Sequence, residues 1–238
     1  MIEIVAEIGS TNSALRARLA AGEGLAEGRW LIADRQTAGR GRAGRVWSGG
    51  LGNFMGSTPA LVGQGDPPAA TLALVAGVAV HEAVSASAPG LDDVRLKWPN
   101  DLLVGAAKLA GILLERQGDV VVVGIGVNLA EAPPLPDRPT AALARLGYPL
   151  ARDAFAQSLA AVWAQMLARW HRGEWPALRA EWLARAHAQG TLLAAHDPAL
   201  GPITGGFAGL DGDGAALLRL ADGTMRAIHA GDVDLIGD

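Results

Sequence analysis

Three arginines alternate with three glycines in the segment 36–47, which ends in a tryptophan. Glycine lets the backbone approach a ligand closely and tolerates positive φ, and guanidinium groups bind carboxylate and phosphate in bidentate fashion. The segment therefore indicates a binding loop for a substrate that carries both groups, although a solvated basic turn has the same composition. The residues concerned are Gly39, Arg40, Gly41, Arg42, Gly44, Arg45 and Trp47.

The spacing of these glycines also matches the dinucleotide-binding fingerprint and the glycine-rich loop of kinases. The dinucleotide fold needs a helix directly after the loop, but residues 47–53 (WSGGLGN) are too rich in glycine to begin one. The kinase fold needs V-A-I-K, H-R-D and D-F-G motifs, and the sequence has none of them. A Walker A loop and a G-x-S-x-G serine motif are also absent from the sequence.

Composition restricts the remaining classes. Half of the 238 residues are apolar and 18% are charged, so the chain can bury a large core. The net charge of −4 argues against a general nucleic-acid binder. The absence of cysteine and the scattered positions of five histidines predict no metal site in the protein. Acidic residues near the N-terminus, and an uncharged apolar run of only residues 69–80, predict a cytoplasmic protein without membrane attachment.

Hydrophobic periodicity predicts two parts. The first, residues 1–190, alternates strands and helices and is predicted to be an α/β domain. The second, residues 191–238, contains short β-type runs between Gly-Asp turns and is too small to be very stable alone, so it should pack on the first. The predicted strands are 2–8, 29–35, 53–61, 94–97, 109–116, 120–129, 203–210, 215–220 and 225–230, and the predicted helices are 13–21, 69–86, 153–170 and 176–188.

Four further motifs each have a structural and a functional interpretation. Residues 97–101 (KWPND) form an ordinary turn or hold Lys97 where negative charge develops. Ser10, Thr11 and Asn12 cap a helix or in part face a ligand. Residues 108–113 (KLAGIL) and 124–128 (GIGVN) are strand-like, and glycine within a strand often marks the close approach of a ligand or backbone.

Taken in order, STN, GRGRAGRVW, KWPND, KLAGIL and GIGVN resemble the motifs of biotin–protein ligases (biotin–[acetyl-CoA carboxylase] ligases), over almost the whole chain. The resemblance implies a mixed-sheet α/β catalytic domain of the biotin/lipoate ligase type and a small C-terminal SH3-like β-barrel. It implies an enzyme that makes biotinyl-5′-AMP from biotin and Mg²⁺-ATP and passes biotin to a lysine of a biotin carboxyl carrier protein. The chain begins at the first catalytic strand, so a DNA-binding repressor is not expected, and the family includes monomers and homodimers.

The resemblance also implies roles for individual residues. Lys97 and Arg42 would be catalytic, Arg42 and Arg45 would neutralise phosphates, and Trp47 would pack against adenine. Ala43 and Ala107 stand where basic residues are common in the family, which leaves phosphate contacts there open. Lipoate or octanoate ligases share the fold, and a non-catalytic biotin binder is the other alternative. The residues expected to bind biotin or nucleotide are Ser10, Thr11, Asn12, Gln36, Gly39, Arg40, Gly41, Arg42, Arg45, Trp47, Lys97, Lys108, Gly111, Gly124, Gly126 and Asn128.

Overall fold

The structure, a computed structural model, describes residues 1–135, 138–197, 201–229, 231 and 233–236. Its larger part is a seven-stranded sheet with the order β1-β2-β3-β7-β6-β5-β4. Strands β1 and β2 are parallel, and every other neighbouring pair is antiparallel, so the sheet is mixed, as expected. The strands are β1 (Ile2–Ile8), β2 (Trp30–Gln36), β3 (Phe54–Leu61), β4 (Val94–Lys97), β5 (Asp101–Val104), β6 (Ala107–Gln117) and β7 (Val120–Val127).

Within the described residues, four α-helices cover the two faces of this sheet: α1 (Thr11–Ala20), α2 (Leu72–Ser87), α3 (Arg152–His171) and α4 (Trp175–Arg185). Successive side chains of a strand point to opposite faces, and β7 shows which helix covers which face. Val123 and Ile125 join the large core formed with α2, α3 and α4, whereas Val122 packs with Leu15 of α1. Gly124 and Gly126 therefore face the side that α1 covers, which is where the candidate site lies.

Helix α2 is apolar over most of its surface because it lies between the sheet and helices α3 and α4. By its length and mean hydropathy (1.6), the helical segment Ala69–Ser87 could cross a membrane. However, 61% of the 18-residue stretch that meets this test is buried inside the protein. Its first residues, Ala69–Thr71, form a 3₁₀ turn rather than the start of the predicted α-helix. Burial on several sides explains the apolar composition of this helix.

A second, antiparallel sheet of five strands follows, in the order β11-β10-β9-β8-β12. The indole Nε1 atoms of Trp98 and Trp175 donate hydrogen bonds to the carbonyls of Gly214 (2.9 Å) and Gly212 (2.6 Å) in its β9–β10 turn. The module thus packs on the large domain, in line with its small size. Its strands are β8 (Leu192–Asp197), β9 (Gly201–Leu210), β10 (Ala216–Arg219), β11 (Met225–Ile228) and β12 (Val233–Leu235).

Strands β5, β8 and β12 lie outside every segment that was predicted to be a strand. Asp101, predicted to lie in a turn, begins β5 and pairs with Lys97 across a tight hairpin. Strands β5, β8 and β12 are short or lack a clear polar–apolar alternation, so their pairing partners rather than their own residues define them. The predicted helix 176–188 ends early, at Arg185, because Ala186 is extended and forms a β-bridge with Leu96.

His171, at the end of α3, is expected to make stability depend on pH. Its Nδ1 lies 3.0 Å from a carboxylate oxygen of Asp66, and its Nε2 lies 3.1 Å from one of Glu27. Burial alone lowers the pKa of His171, but the hydrogen bonds and charges of both carboxylates raise it above its ordinary value. When the folded-state pKa is raised, the protonated histidine stabilises the folded protein fully at pH values below the unfolded-state pKa. This contribution is lost as the pH rises through the folded-state pKa.

We therefore expect His171→Gln to lower the free energy of unfolding by about 1 kcal/mol or less at acidic pH, with the difference from the parent vanishing at alkaline pH. Urea unfolding of both proteins across that range measures it. His229, which is exposed, provides the matched control as His229→Gln. A destabilisation by His171→Gln that stays constant with pH would contradict the ionic account.

Candidate active site

A cavity of about 420 Å³ opens on the face of the first sheet that α1 covers, a volume suited to a small organic molecule. Its wall combines the start of α1, strands β6 and β7, and the loop of residues 39–47 after β2, which we call the arginine loop. Every residue predicted to bind a ligand lies in this wall except Gly39 and Lys97. The wall residues that were predicted are Ser10, Thr11, Asn12, Gln36, Arg40, Gly41, Arg42, Arg45, Trp47, Lys108, Gly111, Gly124, Gly126 and Asn128.

The inner end of the cavity, around the start of α1, is polar, and Ser10, Thr11 and Asn12 are buried there. Ser10 caps α1, with its Oγ accepting a hydrogen bond from the backbone N–H of Ser13 at 3.4 Å, so the capping interpretation holds for that residue. Thr11 instead bonds to the Oε1 of Gln36 through its backbone N–H, at 2.8 Å. Asn12 accepts a hydrogen bond of 2.6 Å from Ser57 on β3. The last two residues of the motif therefore line the cavity rather than cap the helix.

The arginine loop folds back on itself as a compact turn. The backbone N–H of Trp47 donates to the carbonyl of Gly39 at 3.0 Å, and that of Gly41 donates to the carbonyl of Arg45 at 2.7 Å. A side chain at Gly39 would collide with the carbonyl of Trp47. This collision explains why residue 39 is glycine although it lies outside the cavity wall. Ala43, at the tip, has a left-handed backbone (φ 52°, ψ 33°). Closure of this turn directs the two ends of the loop toward the sheet.

The guanidinium groups of this loop reach three different elements. Arg40 lies 3.1 Å from a carboxylate oxygen of Glu115 on β6. Arg42 donates to the Oδ1 of Asn100 at 3.1 Å and to the carbonyl of Gly231 at 2.8 Å. Arg42 thereby connects the loop to both the β4–β5 turn and the C-terminal module.

Two paired glycines form a flat platform under Trp47. Gly111 on β6 and Gly126 on β7 are register partners, and a Cβ at Gly126 would come within 2.7 Å of the indole Nε1. The Nζ of Lys108 lies 5.8 Å from the centroid of the indole ring, within range of a cation–π contact. The glycines thus let an aromatic ring lie directly on the backbone of the sheet, as their positions within strands suggested.

The opposite end of the cavity is charged. Asp101, which is buried, lies 2.6 Å from the Nζ of Lys108 and 3.5 Å from a guanidinium nitrogen of Arg138. Asn100, Asp101 and Arg138 line the cavity but were not predicted as site residues. The first two belong to the KWPND motif and could have been named with Lys97. Arg138 lies in a proline-rich loop that gave no signal.

Lys97 lies beside the cavity and not in its wall. Its Nζ is 3.5 Å from a carboxylate oxygen of Asp234 on β12, and its side chain is only 10% exposed. Burial lowers the pKa of Lys97 below its ordinary value; Asp101 and Asp234 act in the opposite direction, and Arg138 adds to the lowering. The ammonium group is thus held at a fixed place between the two modules.

This arrangement suits a ligand with a neutral hydrogen-bonding head and an anionic tail that meets a second anion. Asn128, at the end of β7, donates to the carbonyl of Lys108 at 3.4 Å and closes that side of the cavity. Among the residues that the structure describes, no three His, Cys, Asp or Glu side chains are grouped so that they can hold a metal ion. The polar side chains that line the cavity are hydroxyls, amides, cations and the carboxylate of Asp101.

Comparison with known proteins agrees with the sequence resemblance. Residues 8–129 match the model of the biotin/lipoate A/B protein ligase family, and residues 200–236 match that of the biotin protein ligase C-terminal domain. A biotin–[acetyl-CoA-carboxylase] ligase from Paracoccus denitrificans is 36% identical over 82% of this chain and 86% of its own length. One from Mycobacterium tuberculosis is 34% identical over 98% and 88%. A solved biotin protein ligase from Aquifex aeolicus, in complex with biotin and ATP, superposes with a TM-score of 0.85 at 27% identity, covering 98% of this chain and 97% of that one.

Proposed function

Because the chain belongs to the biotin/lipoate A/B protein ligase family, we propose that it is an ATP-dependent biotin–protein ligase. In the first step, a carboxylate oxygen of biotin attacks the α-phosphorus of ATP, biotinyl-5′-AMP forms and pyrophosphate leaves. In the second, the amine of a lysine on a biotin carboxyl carrier protein attacks the acyl carbon, an amide forms and AMP leaves. The observation that supports this best is that one cavity wall holds both neutral polar side chains, such as Thr11 and Gln36, and several cations: Arg40, Arg42, Arg45, Lys108 and Arg138.

Biotin fits this wall in one direction. Its ureido ring is neutral and both donates and accepts hydrogen bonds, so it belongs at the buried end beside Thr11 and Gln36. Its carboxylate then points toward the cationic end, where Arg42 and Lys108 line the cavity. A carboxylate and a polyphosphate repel each other, and fixed cations at their meeting point lower the barrier to reaction. The attacking group is the substrate itself, so positioning and charge neutralisation are the work left to the protein.

A reaction of ATP of this kind is expected to use Mg²⁺ bound to the nucleotide. Asp101, a carboxylate in the cavity wall, is already paired with Lys108 and Arg138. Mg²⁺ commonly binds through substrate phosphates and retains several waters. We propose that it enters on the phosphates of ATP and reduces their charge. Trp47, on its glycine platform, offers an aromatic face for the adenine.

The decisive experiment incubates the protein with biotin, Mg²⁺-ATP and a biotin carboxyl carrier domain, and then measures the mass of the carrier. We expect a gain of one biotinyl group that requires biotin and ATP together. Thermal unfolding with biotin or lipoate separates the related specificities, because a ligand that binds only the folded state raises the midpoint. The dithiolane ring of lipoate leaves the polar groups of Thr11 and Gln36 unpaired. Stabilisation by lipoate and not by biotin would overturn the proposal.

A further inference from the structure

Arg138 brings a cation to the cavity from a part of the sequence that carries no motif. It lies in the proline-rich loop after β7 and lines the cavity, and its side chain is 19% exposed. The carbonyl of the next residue, Pro139, accepts a hydrogen bond of 2.9 Å from the backbone N–H of Lys108 on β6. A following proline also favours extended backbone at residue 138. The guanidinium group of Arg138 therefore extends from backbone that is fixed beside β6.

Asp101 sets the position of this guanidinium group relative to Lys108. One carboxylate oxygen of Asp101 lies 2.6 Å from the Nζ of Lys108, and the other lies 3.5 Å from a guanidinium nitrogen of Arg138. The Nζ of Lys108 lies 5.8 Å from the centroid of the Trp47 indole ring. These contacts form the series Trp47, Lys108, Asp101 and Arg138, so the aromatic ring and Arg138 are its two ends.

The positive charge of the cavity exceeds what the adenylate alone needs. Among the described residues of the wall, five side chains are cationic and one is a carboxylate. Glu115, outside the wall, lies 3.1 Å from Arg40 and neutralises a second cation. The remaining excess of three positive charges is larger than the single negative charge of biotinyl-5′-AMP. A polyphosphate is an anion that matches such an excess.

Lys97 adds a further cation near Arg138. Burial lowers the pKa of Lys97, and the charge of Arg138 lowers it further, against the effect of Asp101 and Asp234. Two cations held close together repel each other, and an anion with several charges that binds beside both removes this repulsion.

The geometry of the reaction decides which phosphates lie near Arg138. In a displacement at phosphorus, the attacking oxygen, the phosphorus and the leaving oxygen lie roughly in line. The carboxylate of biotin arrives from the end of the cavity near α1, where its ring is proposed to lie. The leaving oxygen, which bridges the α- and β-phosphates, therefore points to the opposite end. Asp101, Lys108 and Arg138 line the cavity at that end.

We propose that Arg138 binds the β- and γ-phosphates of ATP and stabilises pyrophosphate as it leaves. The bond between the α-phosphorus and the bridging oxygen breaks, its electron pair stays on that oxygen, and the N–H groups of Arg138 meet the charge that develops on the pyrophosphate. A planar guanidinium group donates to two phosphate oxygens at once. This inference rests on the proposed function and deepens it, because it assigns the leaving group to one residue.

The proposal separates the two half-reactions. Pyrophosphate takes part in the formation of biotinyl-5′-AMP and in its reversal, whereas the transfer of biotin to the carrier lysine releases only AMP. Arg138 should therefore affect the first step and leave the second unchanged. A role that consists only in holding Asp101 and Lys108 in place would affect both steps, since these residues stay beside the phosphate of the adenylate.

Arg138→Met keeps the approximate length of the side chain and removes its charge. We expect formation of biotinyl-5′-AMP in a single turnover to slow about ten- to a hundredfold, the usual effect of a lost hydrogen bond to a charged group. In the reverse reaction, inorganic pyrophosphate and biotinyl-5′-AMP give ATP and biotin, and the KM for pyrophosphate should rise about tenfold or more. Transfer of biotin from pre-formed biotinyl-5′-AMP to a biotin carboxyl carrier domain should stay within about twofold of the parent, which also shows that the variant is folded.

Two further variants complete the test. Arg138→Lys keeps a charge without the planar fork, so it should recover part of the adenylation rate. Arg145→Met, at an exposed arginine in the 3₁₀ turn after the same loop, should match the parent in all three assays. An indirect effect through Lys97 has the opposite sign, because removal of a nearby cation raises the pKa of Lys97 and keeps its ammonium group charged to higher pH.

The outcomes are distinct. The inference is wrong if Arg138→Met forms the adenylate like the parent, or if its KM for pyrophosphate is parental. It is also wrong if adenylation and transfer slow by the same factor, because Arg138 then has only a structural role. A parent protein that neither forms biotinyl-5′-AMP nor transfers biotin to the carrier contradicts the proposed function itself, and that result is recognised before any variant is compared.

Discussion

Lys97→Ala should slow the formation of biotinyl-5′-AMP about a hundredfold or more, by analogy with the loss of one preorganised donor. The side chain is 10% exposed and its Nζ lies 3.5 Å from Asp234, while its backbone is fixed by pairing with Asp101 across the hairpin. A cation held in this way gains interaction energy as charge concentrates between the carboxylate and the α-phosphate, more than it gains with bound substrate. Biotin affinity should therefore change less than the rate.

A single-turnover adenylation assay measures this effect, with biotin titration as the accompanying measurement. Lys97→Arg should restore little activity, because a planar guanidinium does not reproduce a compact ammonium group. If Lys97→Ala forms the adenylate at the parental rate, Lys97 is only a lysine beside a turn. Its position just outside the cavity wall makes this result informative in either direction.

The same assay has an expected pH dependence. Burial lowers the pKa of Lys97, with Arg138 acting in the same direction and Asp101 and Asp234 opposing it. The cationic form is present below that pKa and is lost as pH rises through it, so the rate should fall at a lower pH than for an ordinary lysine. Asp234→Asn removes one opposing carboxylate and should move this fall to still lower pH. Asp222→Asn, in an exposed turn of the same module, should leave the profile in place.

Much of the fold could be predicted because each long element carries its own signal. Helix α2 and strand β7 are long apolar runs and strand β6 contains a shorter one, and these runs place the three elements within a few residues of the observed bounds. Strand β5 has no such signal: it contains four residues and exists because β4 and β6 flank it. Strand β12, with three residues, likewise depends on β8. Pairing between distant segments is invisible to a local pattern.

The candidate site divides in the same way. Residues within short motifs, such as Thr11, Arg42 and Gly126, could be named because the residue types of each motif together indicate a binding site. Ser57 and Glu115 could not, since each is a single polar residue in a strand and only the folded chain brings them to Asn12. Ser57 and Glu115 bond to Asn12 from outside the cavity wall, where no local pattern marks them.

Arg42→Ala should both slow the formation of biotinyl-5′-AMP and speed its loss from the site, each by about ten- to a hundredfold, as expected for a lost charge-assisted hydrogen bond in a partly dry site. Arg42 lines the cavity and donates to Asn100 and to the carbonyl of Gly231. Its guanidinium therefore joins the arginine loop, the KWPND hairpin and the C-terminal module around the place where the phosphate is proposed to lie. Its removal loses a phosphate partner and loosens the closure of the loop.

Two measurements separate these consequences. The adenylation rate in a single turnover reports the loss of the phosphate partner, and the release of labelled biotinyl-5′-AMP reports closure of the loop. Arg42→Lys keeps the charge but not the planar fork, so we expect partial recovery of the rate and little recovery of retention. Arg35→Ala, which removes an exposed arginine paired with Glu7 outside the cavity, should behave like the parent. If Arg42→Ala forms and retains biotinyl-5′-AMP like the parent, this guanidinium does not hold the phosphate. A loss of the expected size would be visible in both measurements.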